Sequence, residues 1–323
     1  MKKSFYENTL FSKWTFLLFM LFACGLAFGS NVDYARVYSV NIRDMKVDSQ
    51  VIVDLGDSTT NIVKNISDSC HLMFYRHRDS LSRVEMLSYG GECSDSWSES
   101  KKMQGMQIFK VHDGFVCFAK DSQQGCYYSP TGTGDWEYIG PLGMDYCTAD
   151  CVCELSRDNV AVYYHHTFKD GLPSGASYAF AALELDDTQM EPLSRKIEIK
   201  HNAISFDRLE VVRVTRRGYY SFFAFMQQDL SSIYISSVRD GKWSYPLEFI
   251  AQQPIRLMDV MVVKGKIHLL ILRKNHLVLV KIALHGDRYK IKDTIELVPI
   301  VSSDYKYVRG FFVDKARAMV VAR

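Results

Sequence analysis

The chain has 323 residues, of which 47% are hydrophobic and 24% charged. Those proportions are ordinary for a soluble globular protein, and the length allows one large all-β domain or two smaller ones. A net charge of +2 gives no reason to expect nucleic acid or an anionic membrane as the main partner.

The N-terminus comes first in the chain and is distinctive. Lys2, Lys3 and Lys13 precede an uncharged apolar run from Trp14 to Phe28, and small residues, Ala27, Gly29 and Ser30, follow or close it. This pattern predicts a secretory signal peptide over 1–29, cut near Gly29-Ser30. An uncleaved anchor is the alternative, but the run is shorter than the roughly 20 residues a spanning helix needs. The mature chain, 30–323, is expected to carry no transmembrane helix. One acceptor triplet for N-glycosylation, Asn65-Ile66-Ser67, suits an exported protein.

From Tyr34 onward, short runs rich in Val, Ile, Tyr and Phe alternate with polar or Gly-containing turns, without a helical period. Such runs predict strands. They cover Tyr34–Val40, Gln50–Leu55, His71–Arg76, Arg83–Tyr89, Gln107–Val111, Gly114–Lys120, Gly125–Ser129 and Trp136–Ile139. Further strands are expected at Val160–His166, Tyr178–Leu185, Lys196–Lys200, Leu209–Thr215, Tyr219–Met226, Ser232–Val238 and Trp243–Phe249. The last group is Leu257–Val263, Ile267–Leu272, Leu277–Leu284, Arg288–Leu297, Tyr307–Val313 and Ala318–Val321.

Seven cysteines remain once Cys24 is lost with the signal peptide, and none follows Cys153. An exported chain is expected to pair most of them. Cys117 and Cys126 fall on two strands joined by a polar turn, which predicts a bridge across one hairpin. Cys70 with Cys93 is a similar pair earlier in the chain. Cys147, Cys151 and Cys153 are expected to give one further bridge, Cys147 with Cys153, and a leftover thiol. A zinc site built from that cluster with His165 and His166 matches no common spacing, and neither metal nor cofactor is expected.

One motif occurs twice. Ser129 is followed seven residues later by Trp136, and Ser236 seven residues later by Trp243. In both copies a strand is expected to end near the Ser, with a turn before the Trp enters the core. Repeated hairpins predict the blades of a β-propeller. Four strands from Leu209 to Phe249 read as one up-and-down sheet, and Leu257 to Leu297 as another. At about 45–50 residues per blade the mature chain makes six four-stranded antiparallel blades, with five as the alternative. Strands from the two ends of the chain are expected to share the blade that closes the ring.

The Ser-to-Trp turn resembles a degenerate Asp-box, the turn motif of sialidase-like propellers. Thr131 or Val238 occupies the Asp position and Thr133 or Asp240 the Gly position. The segments Val116-Cys117-Phe118 to Gly125-Cys126-Tyr127-Tyr128-Ser129, Asp95-Ser96-Trp97, and Val238 to Trp243 resemble the cysteine-rich protective antigen family of Plasmodium. The chain departs from that family in having fewer cysteines. The resemblance implies a non-enzymatic, secreted adhesion component in a parasite host-cell invasion complex, displayed at the apical end and cell surface. It also implies a protein partner with cysteine-rich repeats.

Catalysis of the sialidase kind needs three arginines to clamp a carboxylate, because the guanidinium fork matches its two oxygens. A Tyr nucleophile with a Glu, and an Asp acid/base, complete the set. Arg36 and Arg43 lack the sequence context of the first arginine, and Arg213, Arg216, Arg256 and Arg309 are the remaining candidates. No catalytic set is convincing, and Ser156, His165 and Asp170 form no nucleophile–base pattern. The expected function is a non-catalytic interaction scaffold; the alternative is a glycan-binding or glycoside-hydrolysing propeller with its site at the central channel. Three arginines converging beside a Tyr–Glu pair at the channel mouth would favour the sugar reading.

Overall fold

The computed structural model describes residues 34–54, 59–64, 71–78, 81–99, 104–111, 114–120, 124–132, 136–141, 147–154, 159–166, 178–184, 208–216, 219–227, 229–239, 242–244, 247–285, 288–299 and 307–323. All regular structure among them is β. The strands in chain order are β1 (Tyr34–Asn41), β2 (Lys46–Asp54), β3 (Thr59–Lys64), β4 (Leu72–Arg78), β5 (Leu81–Leu87), β6 (Cys93–Glu99), β7 (Gln104–Val111) and β8 (Gly114–Lys120). Then come β9 (Gln124–Ser129), β10 (Glu137–Pro141), β11 (Cys147–Glu154), β12 (Asn159–His166), β13 (Tyr178–Glu184), β14 (Arg208–Arg216), β15 (Tyr219–Gln227) and β16 (Ser232–Arg239). The last eight are β17 (Lys242–Trp243), β18 (Leu247–Ile250), β19 (Ile255–Val263), β20 (Lys266–Arg273), β21 (His276–His285), β22 (Arg288–Pro299), β23 (Val308–Phe312) and β24 (Arg317–Ala322).

Strands close in sequence pair antiparallel into the sheets β3–β6, β7–β10, β11–β13, β14–β18 and β19–β22, with β17 and β18 both pairing β16. The exception is the sheet ordered β2-β1-β24-β23, in which the two ends of the described chain meet. Val37 faces Val321 and Ser39 faces Met319 across that seam. The ring is closed by hydrogen bonds between strands almost the whole chain apart, as the sequence predicts. Five sheets have four strands or more, the smaller blade count expected above; β11–β13 has three described strands, and residues 185–207 after it lie outside the described residues. The protein is a β-propeller.

Packing between sheets explains the strand composition. A strand squeezed between neighbouring sheets must be apolar on both faces, and β15 is: Phe223 and Phe225 point one way, Ala224 and Met226 the other, and all four are buried. Phe223 and Phe225 of the aromatic run after Arg216 are therefore core. The β19–β20 turn uses Lys264 and Gly265, both at positive φ (49° and 70°), the backbone that a two-residue hairpin demands. Gly310 on β23 lies so near β19 that a Cβ there would stand 3.2 Å from the Met258 Cβ. Its missing side chain lets the closing sheet approach its neighbour.

The two Ser–Trp copies have different geometry. In the first, β9 ends at Ser129, whose buried Oγ accepts the Gly132 N–H at 2.9 Å. Gly132 has φ +72°, and Trp136 packs partly buried against the cluster holding Tyr75, Phe115 and Tyr127. In the second, β16 continues past Ser236 to Arg239, and Trp243 pairs back onto Val238. Ser236 Oγ instead donates to the Ser244 carbonyl at 2.8 Å. Both copies connect the third strand of a sheet to its outer edge, but one is a wide capped turn and the other a tight hairpin. The shared spacing is therefore not a shared turn.

The register also corrects the expected disulfides. Cys117 stands opposite Tyr127, and Cys126 opposite Phe118. Adjacent residues on a strand point to opposite faces, so the two thiols lie on opposite sides of the sheet. Cys117 packs in one core cluster and Cys126 in another. A disulfide needs Cβ atoms about 4 Å apart and facing one another; both cysteines are free and buried. Cys147 and Cys153 occupy one extended strand, β11, where six residues span roughly 20 Å, so they cannot bridge each other either. Cys70 and Asn65 lie outside the described residues, as does the side chain of Cys93.

Candidate functional site

Innermost strands of all six sheets converge on one cavity of about 370 Å³. Its walls carry Lys64 from β3, Gln107 and Lys110 from β7, Val152 from β11, Arg208 and Glu210 from β14, Asp259 from β19, and Arg309 and Phe311 from β23. Sequence reasoning missed β3 and β11, because Thr59–Lys64 and Cys147–Glu154 lack the apolar runs of strands enclosed on both faces. Each is the innermost strand of its sheet, with Lys64 and Val152 lining the cavity.

Asp259 is the hub. The β19–β20 ladder slips a register between Leu257 and Asp259, and such a bulge re-aims the side chains around it. The Asp259 carboxylate accepts the Lys64 ammonium at 2.9 Å, the Phe312 N–H at 2.7 Å and the Val260 N–H at 2.8 Å. It thereby ties three sheets together. Arg208 pairs with Glu210 two residues along the same face of β14 and donates to the Met258 carbonyl at 3.1 Å. Burial pushes the Glu210 carboxyl up, while Arg208, then Arg309 and Lys64, pull against that rise. Burial and the neighbouring Arg208 push Arg309 down; its guanidinium stacks 5.0 Å over the Phe311 ring.

A second cavity, also about 370 Å³, shares Arg208 and Arg309 and opens towards Arg256, Leu230 and Tyr307. Gln227 closes its floor. Its amide nitrogen donates to the carbonyls of Asp229 (2.8 Å) and Ile255 (2.7 Å), and its oxygen accepts the Leu257 N–H at 2.6 Å. Both N–H groups of that amide, and one direction of its oxygen, are used, and the bonds to Ile255 and Leu257 join β15 to β19.

Of the arginines singled out in the sequence, Arg256 and Arg309 line this cavity. Arg36 and Arg43 do not: Arg36 is on β1 and Arg43 in the following turn, both exposed. Arg213 and Arg216 lie farther along β14. Arg208, the third cavity arginine, had no sequence signal beyond its alternation with Glu210 at the head of an apolar strand. Three arginines and a tyrosine thus share one cavity, but Glu210 is held by Arg208 in the other. Among the described residues no group of three or more His, Cys, Asp or Glu could hold a metal ion, and no helix is long and apolar enough to cross a membrane. The side chains of His165 and His166 lie outside the described residues.

No family model and no curated protein sequence matches the chain. Among solved structures it is similar to a putative TolB from Agrobacterium tumefaciens, with 11% identity, a TM-score of 0.48, and 90% of this chain and 98% of that one covered. An oligogalacturonate lyase from Vibrio parahaemolyticus gives 10% identity and a TM-score of 0.46, over 86% of this chain and 76% of the other. The SapL1 lectin, solved with alpha methyl fucoside, gives 10% identity and a TM-score of 0.46, over 82% and 96%. An enzyme and a lectin both appear among these neighbours.

Proposed function

We propose that this protein is an exported, non-catalytic scaffold that engages a protein partner in a cell-adhesion or host-cell invasion complex. The observation that carries this reading is the state of the two channel carboxylates among the described residues. Asp259 spends its oxygens on Lys64 and two backbone N–H groups, and Glu210 is paired with Arg208. Acid–base catalysis needs a carboxyl group within reach of a substrate proton, and a carboxylate saturated by structural partners is poorly placed for that work. A closed ring of sheets suits binding, because a preformed surface has little ordering entropy to lose on association. The resemblance to the protective antigen family supplies the expectation of an exported partner with cysteine-rich repeats.

Cross-linking of the full-length chain on intact cells of its source, followed by mass spectrometry, is expected to capture one saturable protein partner. Turnover of fluorogenic sialosides or other glycosides that is lost in Glu210→Gln would overturn the non-catalytic reading. A second reading, glycan binding, is favoured by one observation: Arg208, Arg256 and Arg309 share a cavity, and arginine forks suit acidic sugars. Saturable binding to an array of acidic glycans would support it.

A further inference from the structure

Among its described lining residues the second cavity has cations and no anion. Arg208, Arg256 and Arg309 line it, whereas Glu210 and Asp259 line only its neighbour. Arg309 makes no ion pair among the described residues, and the Nε–H groups of both Arg208 and Arg309 are buried without an acceptor. Arg208 is paired with Glu210, whereas Arg309 has only a hydrogen bond with Tyr307 and a longer-range attraction to Glu210; an enclosed guanidinium so weakly neutralised is costly, and the cost falls when an anion arrives. Two arginines side by side make each other's charge harder to hold, which is why Arg309 is pulled down by Arg208.

We infer that this cavity receives the carboxylate of an acidic side chain on the protein partner, gripped by Arg309 and Arg256 at the channel mouth. This rests on the scaffold reading above and specifies the chemistry of the partner. The cavity wall selects peptide over sugar. A sugar presents hydroxyl donors that need acceptors, yet the described lining has no carboxylate, and the Gln227 amide is committed to the backbone. The rim is apolar instead: Leu230 is 50% exposed and Tyr307 38%. Such a rim suits the hydrocarbon stem of Glu and the residues flanking it.

The test selects from a library of short, end-blocked peptides with the full-length chain. The strongest sequences are then compared with twins in which one Glu or Asp becomes Gln or Asn. Selected peptides are expected to carry an acid at one fixed position, with the neutral twin about tenfold weaker or worse, as for loss of a charged hydrogen bond. Arg256→Gln, at an exposed rim position, leaves the fold intact and is expected to weaken binding severalfold, and Arg309→Gln to abolish it. Added salt is expected to weaken the acidic peptide more than its twin. Equal binding of the twins, no acid among the selected sequences, or indifference to Arg256→Gln would each overturn the inference. So would displacement of the peptide by N-acetylneuraminic acid at lower concentration than by free glutamate, which would transfer the cavity to the glycan reading. If a cross-linked protein partner persists in Arg256→Gln and Arg309→Gln, the scaffold reading stands and this inference alone fails.

Discussion

Lys64 and Asp259 are 195 positions apart in the chain and 2.9 Å apart across the channel. Asp259 is nearly buried and Lys64 about a quarter exposed, so the pair is partly shielded from water. Removing one partner leaves the other charge unmatched in the channel. Asp259→Ala also deprives the Phe312 and Val260 N–H groups of their acceptor. The expected loss is about 3–5 kcal/mol, read as a lower urea midpoint. Asp259→Asn, which keeps an acceptor, is expected to lose less.

A second set of contacts gives the closing sheet a pH-sensitive seam. Buried His71 accepts the Tyr89 N–H on Nδ1 at 2.8 Å. The Tyr89 carbonyl accepts the Ser39 hydroxyl, its own hydroxyl donates to Asp48 at 2.8 Å, and Arg317 stacks over its ring. Burial, then Arg317, hold His71 below its ordinary 6.5, with Asp314 opposing weakly. A depressed histidine means that the unfolded chain takes up the proton first. Stability is then fully present above about pH 6.5 and falls as pH drops below it. Denaturant midpoints between about pH 7 and 5 are expected to decline for the native chain. In His71→Asn, which keeps an acceptor in the Nδ1 position, the decline is expected to be shallower, the remainder coming from His268, which burial, then Lys281 and Lys266, also hold down. Asp314 is also depressed, because hydrogen bonds from Ala316 and Arg317 outweigh burial, but its contribution is lost only at lower pH.

Gly132 and Ser129 rank differently. A Cβ on Gly132 would lie 2.6 Å from the Tyr75 hydroxyl and 2.8 Å from the Phe115 ring, at a positive φ. Gly132→Ala therefore combines a clash with backbone strain, and about 2–4 kcal/mol of destabilisation is expected. Ser129→Ala removes one buried hydrogen bond, for about 1–2 kcal/mol. Thermal melts showing the reverse order would contradict the turn geometry.

The cysteine pair offers a direct chemical check. Burial pushes the Cys117 thiol up to about 12 and Cys126 higher still, so neither is expected to react with a thiol reagent in the native protein near neutral pH. Unfolding in guanidinium without reductant is expected to release both for alkylation, counted by peptide mass. A disulfide-linked peptide joining them would mean that the β8–β9 register is wrong by one residue.

Much of this architecture was legible in the chain itself. The alternation of short β-branched and aromatic runs with Gly-bearing turns determined an all-β ring, because strand formation and hairpin turns depend on neighbours a few residues away. The β14–β18 and β19–β22 sheets and the union of the chain's two ends were readable for that reason. What only the tertiary structure decided depends on parity and convergence. One residue of register places Cys117 and Cys126 on opposite faces. The same seven-residue spacing closes a capped turn at Ser129 but not at Ser236. Lys64, Arg208, Asp259 and Arg309 meet only because innermost strands distant in sequence point to a common axis, and no local pattern encodes that meeting.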